Sequence, residues 1–139
     1  MIHELSAAVG KAVALLPADV VQAIEAARDR EEGQGRVQLE AVLENVRVAR
    51  ELGVPMCQDT GTLTFFVQLG VNFPRLPELW RALPEAARAA TRDVPLRPNS
   101  VHPFSGRNPG DNTGRRIPAV TWEPVEGDEA LVHILPKGG

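Results

Sequence analysis

The chain has 139 residues, 43% of them hydrophobic and 24% charged, with a formal net charge of −3. That length and composition suit one globular domain, and the slightly acidic balance argues against a nucleic-acid binder, which shows a basic face. A single cysteine excludes an internal disulfide; with no leader pattern in Met1–Leu16 and no apolar run long enough for a bilayer, the expectation is a cytoplasmic protein without a membrane partner.

The first fifty residues carry helical periodicity. Ile2–Leu16 is apolar and alanine-rich. Pro17 suits the opening of a second helix, because a first-turn residue needs no N–H, and Asp19 suits the positive end of its dipole. Val20, Val21, Ile24 and Ala27 form the apolar stripe of that helix. Gly33 and Gly35 break the pattern. A third helix then places Leu39, Val42, Leu43, Val46 and Ala49 at spacings of three and four, and Gly53 and Pro55 end it.

Val54-Pro55-Met56-Cys57-Gln58-Asp59-Thr60-Gly61 is a turn-like polar segment. Leu63–Leu69, with Phe65, Phe66 and Val67, predicts a buried strand. Leu76–Arg92 predicts a helix in which Pro84 either interrupts or starts a separate helix. Pro95–Pro118, rich in proline and glycine, predicts an irregular loop. Ile117–Trp122 and Ala130–Leu135 predict two strands, with a hairpin turn at Glu126-Gly127-Asp128. The fold class expected is α+β in a single domain over residues 1–139: N-terminal helices, then a mixed region of a few strands and helices with a long Pro/Gly-rich loop. The end, Pro136-Lys137-Gly138-Gly139, has the character of the entrance to a glycine-rich ligand loop.

Cys57 has two readings. A free cysteine is often a small buried hydrophobe. One followed by Gln58-Asp59-Thr60-Gly61 also suits a metal-ligating thiolate on a loop, where neighbouring polar groups tune it. Asp59 is a turn or cap residue on its own; beside a ligand cysteine it becomes a candidate for proton transfer or substrate contact. Arg97, between Pro95 and Pro98 in a stiff extended stretch, presents a planar guanidinium suited to a carboxylate, though a lone arginine is ordinarily a solvated charge. His133 in an alternating strand has a structural reading, and His102 in the loop is a lesser candidate. Asp111-Asn112-Thr113-Gly114 has plain turn chemistry. Lys137-Gly138-Gly139 can present N–H groups to an anion.

Pro55-Met56-Cys57-Gln58-Asp59-Thr60-Gly61, then Leu96-Arg97-Pro98-Asn99-Ser100-Val101-His102-Pro103, then Lys137-Gly138-Gly139, resemble the class I fumarase and L-tartrate dehydratase family. They are similar to the alpha, or N-terminal, part of its two-subunit members. The resemblance spans nearly the whole chain, and the three strings in this order are more specific than any one alone. It implies a hydro-lyase that reversibly hydrates a small dicarboxylate, fumarate/malate foremost and L-tartrate as the alternative, on a [4Fe–4S] cluster with one open iron. It further implies Cys57 as the metal ligand, Asp59 as catalytic, and Gln58, Asp59, Arg97, Lys137, Gly138 and Gly139 as substrate-binding. The family's other two cluster cysteines have no counterpart here, so the chain is expected to be part of a longer or multi-subunit enzyme. Alone it is expected to hold no cluster and to be inactive. The partners implied are a beta-type subunit or C-terminal domain, in an oligomer. Competing readings are a non-catalytic binding or assembly module of the same family and a structural helical–β domain with an incidental cysteine. A coding sequence continuing past Gly139 with two more cysteines would favour the enzyme.

Overall fold

A computed structural model describes residues 1–138. The described elements are, in chain order, α1 (Ile2–Ala14), α2 (Ala18–Arg30), α3 (Gly33–Leu52), β1 (Thr62–Gly70), α4 (Leu76–Asp93), β2 (Ala119–Val125) and β3 (Ala130–Lys137). This is the expected α+β class.

α1 buries Leu5, Val9 and Val13, a four-residue spacing that puts all three on one face. That face packs along α4, which offers mostly small residues, Ala82, Ala86, Ala87 and Ala90, with Leu79 and Leu83. Small side chains allow the two helices to approach closely. α4 is one continuous helix with Pro84 inside it, so Pro84 neither breaks it nor starts a new one. An internal proline costs about 3 kcal/mol; buried side chains on both sides of Pro84 offset it.

β1 lies at the centre of a three-stranded sheet of order β2-β1-β3, parallel to β2 and antiparallel to β3. Leu63, Phe65 and Val67 of β1 are buried at alternate positions and complete the core with α1 and α4. Val120 and Trp122 of β2 and Val132 and Ile134 of β3 pack around it. The opposite sheet face leaves Phe66, Leu131, His133 and Leu135 exposed.

The link between β2 and β3 differs from the expected hairpin. Glu126–Glu129 does reverse the chain, but the two strands bracket β1 instead of pairing with each other. The link passes over the end of β1, where Gly70 N donates to Glu129 O at 2.8 Å and Asn72 N to Gly127 O at 2.9 Å. A side chain at Gly70 would put its Cβ 2.6 Å from Gly127 O. The glycine makes room for the crossover.

α3 begins at Gly33, earlier than its apolar pattern indicates, and ends on Gly53 in the left-handed region at φ 66°. α2 pairs with α3 but buries no residue, so its expected apolar stripe is only partly covered. The region Ile2–Arg30 contains an 18-residue window of mean hydropathy 1.5, long and apolar enough for a bilayer by composition. This corrects the sequence expectation that no such run exists. In the fold the region is two helices separated at Leu15–Pro17, and α1 is a core helix.

Candidate active site

The loop after α3 is anchored from both sides. Met56 N donates to Val13 O at the end of α1 at 3.0 Å, and the Asn45 amide on α3 donates to Met56 O at 2.9 Å. A turn follows, closed by Thr60 N to Cys57 O at 3.1 Å. It leaves Cys57 as a free, exposed thiol and Gln58 exposed beside it.

The segment after α4 is laid against this loop. Arg97 N donates to Thr60 O at 2.9 Å, and the Asn99 amide donates to Asp59 O at 2.7 Å. The contact is close enough that a Cβ on Gly61 would sit 1.7 Å from Arg97 O. No side chain fits there without moving one backbone away from the other. Across the backbone contact, Arg97 Nη1 meets Asp59 Oδ1 at 2.5 Å. Both side chains stay accessible, 59% for Arg97 and 40% for Asp59. The guanidinium meets Asp59 through one of its three nitrogens.

The end of β3 arrives at the same place. Gly61 N donates to Lys137 O at 3.1 Å, next to the Thr62–Lys137 pair of the ladder. A Cβ on Gly138 would lie 2.8 Å from Asp59 Oδ2. Asp59 is therefore the point where the three segments meet. Cys57, Gln58, Asp59, Arg97, Lys137 and Gly138 are brought into one region, while Gly139 lies outside the described residues.

Asn112 was not singled out by sequence reasoning beyond its turn chemistry. It is buried, 1% exposed, and holds the Arg97 segment from behind. Its amide donates to Arg97 O at 2.9 Å and to Thr91 Oγ1 at 3.2 Å, and its Oδ1 accepts from Asn99 N at 2.7 Å. Its φ of 56° is left-handed, a conformation that asparagine tolerates better than most residues. That tolerance, in an Asp-Asn-Thr-Gly run, was the available signal. Beside it, burial pushes the Asp111 carboxyl up, but the Thr113 hydroxyl and backbone N–H and the Arg88 guanidinium outweigh it and leave the carboxyl below its ordinary value.

The loop 95–118 has no helix or strand, apart from an isolated bridge between Gly114 and Ile117. His102 is engaged locally, its Nδ1 facing the Ser105 hydroxyl at 3.1 Å. His133 is on the outer sheet face.

Residues 2–139 match the family model for fumarate hydratase (Fumerase). The chain belongs to this family. It is 40% identical over 126 residues to an L(+)-tartrate dehydratase subunit alpha of Escherichia coli (strain UTI89 / UPEC), covering 89% of this chain and 42% of that subunit. The corresponding subunit of Escherichia coli (strain K12) is 38% identical over the same shares. A putative fumarate hydratase class I of Geobacillus stearothermophilus is 39% identical, over 89% of this chain and 24% of that protein. The chain thus spans less than half the length of these relatives.

An iron–sulfur group, which the fumarase resemblance implies, needs several thiolates at once. Among the described residues no group of three or more His, Cys, Asp and Glu side chains is placed to hold a metal. Cys57 fits the role of one ligand: its thiol is exposed, on an anchored loop, beside polar side chains. The donors of this chain do not fit a complete cluster.

Proposed function

We propose that this chain supplies one wall of the active site of an iron–sulfur hydro-lyase acting on a small dicarboxylate. The observation that carries the reading is the meeting of three separate segments at Asp59, with Arg97 on Oδ1 and Gly138 against Oδ2. Cys57 stands two positions from Asp59 and would supply one thiolate of a [4Fe–4S] cluster, whose remaining ligands come from outside this chain. When bound, an open iron supplies Lewis-acid polarisation of a substrate oxygen.

The chain's own residues do the rest. Arg97 binds a substrate carboxylate through guanidinium donors that Asp59 does not occupy, and Asp59 orients the guanidinium while its carboxylate accepts or returns the proton of the hydration step. Gln58, exposed beside Cys57, donates to a substrate oxygen. Lys137 and the glycines after it offer backbone N–H groups and positive charge to the second carboxylate. Fumarate/malate is the first substrate to test. L-Tartrate is the second reading, favoured by the identity to tartrate dehydratase alpha subunits. That relative's name, subunit alpha, supports a beta-type partner or a further domain. A cytoplasmic, reducing setting would keep Cys57 as a thiol.

The test is hydration of fumarate and dehydration of L-tartrate by the enzyme assembled with its remaining chain or subunits. Activity on one of them, lost in Arg97→Ala through a raised KM, supports the proposal. Full activity of Arg97→Ala and Asp59→Asn on every dicarboxylate tried would end it.

A further inference from the structure

The Pro/Gly-rich loop shapes a half-open cavity of about 480 Å³, within the size range of small-molecule sites. Its wall includes Ser100, Arg107 and Arg115, but neither Asp59 nor Arg97, and no acidic side chain. The carboxylate nearest in sequence, Asp111, is engaged by Thr113 and Arg88. Neither Arg107 nor Arg115 takes part in an ion pair among the described residues.

Two arginines lining one cavity without a carboxylate create a positive site. A second observation is independent of charge. The rest of the wall is largely apolar, including Val101, Pro109 and Ile117, with Phe104 95% exposed at its edge. A small, strongly hydrated inorganic anion would gain nothing from those groups.

We propose that this cavity binds a small organic carboxylate with an apolar body. The carboxylate pairs with Arg107 and Arg115, and the apolar body lies against Val101, Phe104 and Ile117. The site does not depend on the reading of Asp59 and Arg97 given above.

The experiment uses the full protein that carries this chain and benzoate as the probe, with binding followed by ligand-observed NMR titration. Saturable binding is expected, weakened at least about tenfold, the factor equal to 1.4 kcal/mol, in the Arg107→Gln/Arg115→Gln double variant. Arg97→Gln should leave it unchanged. Three results would overturn the proposal: benzoate binding that does not saturate, binding the double variant retains in full, or inorganic phosphate competing as well as or better than benzoate. Loss of benzoate binding in Arg97→Gln with the double variant unaffected would transfer the carboxylate to the Asp59 region and equally reject this cavity.

Discussion

Arg97 and Asp59, 38 positions apart in sequence, form an ion pair at 2.5 Å, and the main chains on either side of them are also bonded. The side-chain pair is exposed, so its own contribution to stability should be small, on the order of 0–1 kcal/mol. Its importance is positional. Arg97→Ala in the assembled enzyme should raise KM for the dicarboxylate on the order of 10- to 100-fold, as expected for a lost charge-assisted bond. Arg97→Lys should recover only part, since an ammonium lacks the planar fork. Steady-state kinetics and a urea titration of each variant separate the two effects.

Gly61→Ala should damage the site more than its size suggests. The added methyl would start 1.7 Å from Arg97 O, a backbone atom that cannot swing aside. Overpacking of this kind costs about 1–3 kcal/mol or more. Gly138→Ala meets a side-chain oxygen, Asp59 Oδ2, and should cost less. Comparing the two urea midpoints checks the order; a Gly61→Ala midpoint equal to wild type would contradict the backbone contact.

Asn112→Ala should lower stability by roughly 2–4 kcal/mol, because it strips partners from buried groups on the Arg97 segment. Asn112→Gly would relieve the φ of 56° without restoring the bonds, so it should remain well below wild type. Hydrogen exchange should show faster exchange at the Asn99 amide in both variants, since that N–H donates to Asn112 Oδ1.

Much of this arrangement was legible beforehand and some was not. The apolar spacing in α1 and α3 and the alternation of Leu63, Phe65 and Val67 are local signals, and the elements cover those residues, although α3 starts earlier than its spacing indicates, at Gly33. The sheet order was not local. Glu126–Asp128 signals a reversal, but nothing in those residues says that β1 lies between the strands they join. Pro84 misleads in the same way, because its helix is held by buried neighbours that a proline rule does not weigh. At the site, the run from Cys57 to Gly61 and the stretch around Arg97 announce themselves by residue type. Asn112 does not, because its work depends on Arg97 and Thr91, 15 and 21 positions away.

Asp111 gives the fold an acid-side dependence. Its carboxyl lies below its ordinary value of 3.8 in the folded chain. A depressed folded value means the unfolded chain takes up the proton first as pH falls. The contribution is therefore present above the ordinary value and lost as pH drops toward the folded one. Because the side chain is still 32% accessible, solvent screening should keep the effect small. Thermal melts of wild type and Asp111→Asn across the acid range should converge at the lowest pH, with the wild type the more stable near neutrality.

The central claim is that Cys57 is a cluster ligand in a hydro-lyase, and one variant tests it most directly. Cys57→Ser is placed in the assembled enzyme, which is then reconstituted anaerobically with iron and sulfide. Absorption and EPR spectra are recorded beside fumarate hydration. The chain alone, with a single thiol, should stay colourless under the same treatment, because a cluster needs several thiolates at once. The expected result for the variant is loss of both the cluster signal and turnover, with the helical content unchanged by circular dichroism. A Cys57→Ser enzyme that keeps a full cluster and normal turnover would contradict the claim.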